Sequence, residues 1–430
     1  MKALSTSGGT YRIPLRFYVP WVWHVLVFFA AALLLISRRP DVLSNAQFWA
    51  EDGTVWYYGA YTFGPLKALL IPHTGYYQTL PRLVAAFSLW FPISWAPLIF
   101  NLVALGIQIL PVLVLLSSRY AHIISLPHAR LLLAFAYLAM PNGEVHANLT
   151  NAQWHLALTT AVIVLAEPSA AWGWRCFDLG TIALTGVSGP FSLILAPIVL
   201  LRAYVQRNRW LLYLGLVLSV GALVQLTAYS QQTHVPRLDG QVPRGASPTL
   251  FFRIVGGQVF AQAVVGYSGF SWLSSQAVWL GQLPLFVCVV GLGALIYALW
   301  RGPLELRLFT LFAAWIMFGA LVTPVASLTT PQWEILALPG SGLRYWRIPV
   351  LAFILVLGYL AYKAPIRVCR WTTVGLLLAA AAGNLYDWRY APWTDLHWPD
   401  HAQAFTAAKA GTTVHIPIQP EGWTMALVKH

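Results

Sequence analysis

Charge is scarce in this chain. Only 9% of its 430 residues are Asp, Glu, Lys or Arg, where soluble domains carry about 25%. That scarcity excludes an ordinary water-soluble domain, and a hydrophobic share of 58% takes its place. Acids are scarcest, 13 against 26 Lys and Arg. Cysteine is nearly absent. Cys176, Cys288 and Cys369 have no paired spacing, which excludes a disulfide framework and a cysteine-based zinc site. No repeat at a fixed period and no low-complexity tract occurs, so a repeat array is excluded as well. The net charge of +13 does not indicate nucleic acid as a partner, because the basic residues are scattered through short loops between apolar runs. Anionic lipid, or a lipid substrate bearing phosphate, accounts for them better.

Apolar runs are what the chain has instead. About 20 such residues cross a bilayer as a helix, so the sequence reads as an all-α polytopic membrane protein. About eleven spans are expected, near 18–36, 96–116, 130–141, 152–166, 177–187, 190–204, 210–228, 276–299, 307–325, 347–362 and 371–386. The first follows Lys2, Arg12 and Arg16, is not followed by a cleavage signature, and reads as a retained helix. The first outer loop, about 37–95, is broken by Pro and Gly and rich in aromatics, which suits helices lying along the membrane face. A transmembrane domain over 1–386 is then followed by a small polar cap over 387–430, with strand-like alternation in "TVHIPIQ".

The loops 117–130, 202–209, 300–307 and 363–370 are basic and fall on one side of this map. By the positive-inside rule they are cytoplasmic, which puts the N-terminus inside and the C-terminus outside. Ten acids then lie outside: Asp41, Glu51, Asp52, Glu144, Asp239, Glu334, Asp387, Asp395, Asp400 and Glu421. So do several arginines the rule does not expect, among them Arg38, Arg39, Arg82, Arg237, Arg244, Arg253, Arg344 and Arg347. An aromatic belt does not explain acids and arginines gathered on one side.

Three stretches concentrate this outer chemistry. In "FWAEDGTVWYYG" (48–59), Glu51 and Asp52 adjoin Tyr57. Two adjacent carboxylates repel, which raises the pKa of one. Such a pair suits a general base that takes a proton from an attacking hydroxyl, or two oxygen ligands for a divalent metal ion. It equally suits a solvated turn. In "NGEVHANLTNAQWH" (142–155), Glu144, His146, Asn148 and Asn151 crowd a turn between spans. They either cap helix ends or recognise sugar hydroxyls through paired donors and acceptors. In "SGLRYWRIP" (341–349), Arg344 and Arg347 flank Tyr345 at the start of a span. They either anchor the helix at the interface or clamp a phosphate. Arg82 is a further candidate for that phosphate. His24, His128 and His155 read as packing or interfacial histidines.

The acid pair in the first outer loop, followed by "IPHTGYYQTLPRLVAAF" (71–87), resembles the first loop of the GT-C membrane glycosyltransferases, such as lipid A aminoarabinose transferases and protein O-mannosyltransferases. His73 and Leu80–Pro81 are similar to that superfamily's His-Pro-Pro-Leu motif, with different spacing. The stretches 136–158 and 182–206 resemble its later loops, with Ser188 where a lysine is common. The likeness covers about 18–210. It implies an inverting glycosyltransferase in the bacterial inner membrane, working on the periplasmic side. The donor would be a polyprenyl-phosphate-linked sugar and the acceptor an envelope glycan or lipid. It leaves open whether a divalent metal ion takes part. The rival is a transporter or flippase of a lipid-linked sugar, for which ionisable groups are expected near the membrane midplane.

Overall fold

The computed structural model describes residues 20–231 and 242–430. Lys2, Arg12, Arg16, Arg237 and Asp239 lie outside these residues. Among the described residues, eight helices are long and apolar enough to cross a membrane: Trp21–Arg38, Ile93–Leu115, Arg209–Gln231, Pro248–Ser274, Leu283–Arg301, Leu304–Val322, Leu343–Lys363 and Arg367–Tyr386. Leu26, Phe29, Leu33, Val220, Leu223 and Phe286 stand exposed on them, an apolar outer surface that water would disfavour and hydrocarbon suits.

The expectation of eleven spans is met in part. The segments expected near 130–141, 152–166, 177–187 and 190–204 are helices of only 13, 14, 15 and 16 residues, below the usual spanning length. The region 251–272, which the expected spans leave in a loop between 228 and 276, lies within the 27-residue apolar stretch Pro248–Ser274. That stretch is not a straight rod. It carries a π-helical turn at Val255–Ala261, and Gly266 breaks it with φ 75°. A Cβ on Gly257 would stand 2.4 Å from the Phe270 ring, so the second half folds back on the first. Without that fold, thirteen residues of helix would separate them by about 20 Å.

Contacts sort the helix ends into two sets. At one end, Arg119 grips Asp178 with two bonds of 2.8 and 2.9 Å, Arg202 pairs with Glu305, and His122 meets Glu167. The basic loops gather there. At the other end lie the first loop, the 142–151 loop, the 323–345 segment and the C-terminal residues. The helix Ala152–Leu165 runs from this second end to the first.

The second end carries short elements. Within the first loop they are Asp41–Ser44, Asp52–Tyr57, Tyr58–Phe63, Pro65–Leu69 and Thr79–Ser88. Gly64, at φ 81°, separates two of them, and Pro65 restarts the chain as a helix. The C-terminal residues form helix Trp398–Ala407 and an antiparallel hairpin of β1 (Thr413–Ile418) and β2 (Trp423–Val428). Ile416, Ile418, Met425 and Leu427 share one hydrophobic cluster with Phe48, Trp56, Tyr57 and Phe100. The cap therefore packs into the first loop.

Candidate functional site

The acid pair is positioned from both ends of the chain. Gln419 donates its N–H to the Phe48 carbonyl at 2.9 Å, and its own carbonyl accepts from Ala50 N–H at 2.5 Å. Ala50 is held at φ 44°, a left-handed conformation that costs a residue with a Cβ about 1 kcal/mol. Among the described residues, four of the five non-glycine residues with positive φ, Ala50, Thr74, Ala147 and His397, lie at this end. Strain of this kind gathers at functional sites.

The π-helical turn Asp52–Tyr57 begins immediately afterwards. Asp52 is fully buried. Its Oδ1 accepts from Thr150 N–H and Thr150 Oγ1, both at 2.8 Å, and its Oδ2 accepts from Leu149 N–H at 3.1 Å. Burial raises its pKa to about 7, against the opposing pull of these three hydrogen bonds, and Glu51 adds to the rise. Glu51 is only half-buried. The two acids thus differ in environment: one is locked to the 149–150 amides, and the other reaches the surface.

Trp56 ties the pair to a cation. Its indole N–H donates to Thr150 Oγ1 at 3.1 Å. The Arg82 guanidinium lies 5.0 Å from the Trp56 ring, and the His73 ring centroid lies 5.2 Å from it. Arg82 is buried and its Nε has no hydrogen-bond partner. Among the described residues no carboxylate pairs with it. Burial lowers its pKa to about 10, so it remains cationic at neutral pH. The helix carrying Arg82 starts where Ser188 Oγ accepts from Leu80 N–H at 3.0 Å, so the 182–206 and 71–87 stretches meet here. Tyr57 is buried and stacks on Tyr61, which makes it a packing residue.

The 142–151 loop is shaped by its own amides. Asn148 Nδ2 donates to the Glu144 carbonyl at 2.8 Å, its Oδ1 accepts from Asn151 N–H at 3.0 Å, and Asn151 Nδ2 donates to the Glu144 carbonyl at 3.1 Å. Asn148 and Asn151 therefore hold the turn. His155 is held between Tyr137 OH at 2.9 Å and the Val145 carbonyl at 3.0 Å.

Arg344 and Arg347 do not form one clamp. Arg344 is ion-paired with Glu144 and donates to the Val325 carbonyl at 2.6 Å, with Tyr345 OH at 3.2 Å. Glu144 thus answers the charge of Arg344. Arg347 points elsewhere, to the Tyr137 carbonyl at 3.3 Å, and its guanidinium carbon lies 4.8 Å from the Tyr137 ring.

Arg38 and Arg39, noted in the sequence only as misplaced cations, prove to be neighbours of the site. Both are buried, and their guanidinium carbons lie 4.5 and 5.3 Å from the centre of the Tyr390 ring. His146 lies 5.1 Å from the same ring. The signal available in sequence was two adjacent arginines closing a span on the less basic side. Their convergence with Arg347 depends on distant elements and was not legible.

Among the described residues no three His, Cys, Asp or Glu side chains come together to hold a metal ion. Both Asp52 oxygens are engaged by donors. The chain matches no protein-family model and no curated protein.

Proposed function

We propose that this chain is a membrane glycosyltransferase of GT-C type, moving a sugar from a polyprenyl-phosphate donor to an envelope glycan or lipid acceptor. The observation that carries the reading is the run Glu51–Asp52, Thr150, Trp56, Arg82. Beside the half-buried Glu51 stands a buried carboxylate with pKa about 7, and through Thr150 and Trp56 it connects to a buried cation that has no acid partner among the described residues. The likeness of this loop to the GT-C first loop adds to it. The membrane would be the bacterial inner membrane, with this end periplasmic, as the basic loops at the opposite end suggest.

In this reading Glu51 takes the proton from the acceptor hydroxyl as its oxygen bonds to the anomeric carbon. The bond from that carbon to the phosphate oxygen breaks, and its electron pair leaves with the phosphate. Arg82 stabilises the charge growing there. Asp52 positions Glu51 by fixing the turn to the 149–150 amides. Glu51→Gln is expected to lower sugar transfer by 100-fold or more, with insertion unchanged. Asp52→Asn lowers it less, through displacement of the turn. Normal transfer by both variants would sink the assignment.

The broken segment at Gly266 favours a second reading, since transporters use interrupted helices at their binding sites. A flippase would move donor between leaflets and leave sugar transfer in lysed membranes intact when Glu51 is replaced.

A further inference from the structure

A cleft at the basic end has no part in the proposed transfer. It lies where helix Phe191–Gln206 turns into helix Arg209–Gln231. Its volume is about 520 Å³, within the range of about 300–1,000 Å³ typical of ligand sites. Leu200, Tyr204, Val205 and Leu212 line its apolar part, and Arg207 and Arg209 stand at the corner of the hairpin. Leu200 and Arg207 are separated by about 10 Å of helix, so the cleft is apolar along its length and cationic at its end.

Backbone bonds fix that corner. Asn208 N–H donates to the Ala203 carbonyl at 3.1 Å, and Arg207 N–H donates to the Tyr204 carbonyl at 3.3 Å. Asn208 Oδ1 accepts from Leu211 N–H at 3.1 Å. A helix end of this kind turns through a left-handed residue, most often glycine. Here Arg207 takes that place, at φ 50°, although the turn itself has no use for a guanidinium. Arg207 and Arg209 are both exposed. Among the described residues neither guanidinium makes a hydrogen bond, an ion pair or a ring contact. The three acids of this end are engaged with other side chains: Asp178 with Arg119, Glu305 with Arg202 and Glu167 with His122. No acid lines the cleft.

The apolar lining also continues beyond the cleft. Leu212, Leu216, Val220 and Leu223 are exposed, and their spacing of three and four residues sets them in one row along the helix. A free anion has no use for that row, and an uncharged lipid has none for the arginines. We propose that the cleft holds an anionic phospholipid, with its phosphate between Arg207 and Arg209 and its acyl chains along Leu200, Tyr204 and Leu212. Tyr204 and Leu212 are themselves exposed, so a lipid enters sideways and the fold need not open. The site stands independently of the transferase reading.

The test is thermal unfolding of the full chain in neutral detergent. Dioleoyl phosphatidylglycerol is titrated in mixed micelles against dioleoyl phosphatidylcholine, and glycerol 3-phosphate supplies the headgroup without chains. A saturating rise in Tm with phosphatidylglycerol alone is expected. Replacing Arg207 and Arg209 together by Gln should weaken the midpoint of that rise about tenfold or more. Lys363→Gln combined with Arg367→Gln removes the same charge from exposed positions on another basic loop of this end, and should leave it unchanged. Arg207→Gly suits the left-handed turn, so its Tm without lipid should be equal or higher while its lipid response weakens. The proposal is overturned if phosphatidylglycerol and phosphatidylcholine act alike, or if glycerol 3-phosphate acts as strongly as the lipid. Equal weakening by the two paired variants also overturns it, since the attraction would then belong to the basic end as a whole.

Discussion

At Ala50 a side chain is held where glycine would be at ease, one residue before the acids. Ala50→Gly removes the strain and is expected to leave the fold as stable or up to about 1 kcal/mol more stable. The same change frees the turn, so the proposed sugar transfer is expected to fall; thermal unfolding and a transfer assay on one preparation check both. Asp52 makes a prediction about pH. Its carboxyl takes protons up to about pH 7 in the fold, against an ordinary value of 3.8. Between those values the folded chain binds more protons than the unfolded one, so stability falls as pH rises through that window and levels off above it. Asp52→Asn should abolish that slope in unfolding curves recorded from pH 4 to 8. The acid pair itself was legible in "FWAEDG". The split between a buried Asp52 and a half-exposed Glu51 was not, because Gln419, Leu149 and Thr150 impose it from far along the chain.

Helices in this protein meet through glycine and through buried charge. A Cβ on Gly221 would stand 2.5 Å from Gly186 Cα, so helices Trp172–Gly186 and Arg209–Gln231 touch backbone to backbone, as small residues permit in membranes. Gly221→Val is expected to destabilise by about 2 kcal/mol or more, since backbone cannot step aside; a Tm series with Ala and Val measures it. At the basic end, Arg119→Leu leaves Asp178 buried without its partner and should cost about 3–5 kcal/mol. Replacing both residues by apolar ones should recover most of that loss, and the double-mutant cycle reports the coupling. Apolar runs made most helices legible as elements. Their lengths were not, because composition does not show where Pro127 starts a helix or where Gly266 breaks one.

Across the whole molecule, the C-terminal hairpin is an integral wall of the first loop. Ile416, Ile418, Met425 and Leu427 cover Phe48, Trp56 and Tyr57. Deleting residues 411–430 should therefore expose residues 45–65 to protease and remove transfer activity while the helices remain inserted. Limited proteolysis followed by mass spectrometry would show whether cleavage concentrates there. Strand-like alternation in "TVHIPIQ" announced β1, and the polar tail suggested a cap. Its attachment to the opposite end of the chain carried no signal in sequence.

This attachment also sets an order of assembly. The acids leave the ribosome with the first loop, but Gln419 and its hairpin follow only after the last long helix has been made. Until then Ala50 lacks the carbonyl that holds it, and Phe48 lacks its cover. The loop that carries the acids is thus completed only once residues 413–428, more than 350 positions further along the chain, have followed it.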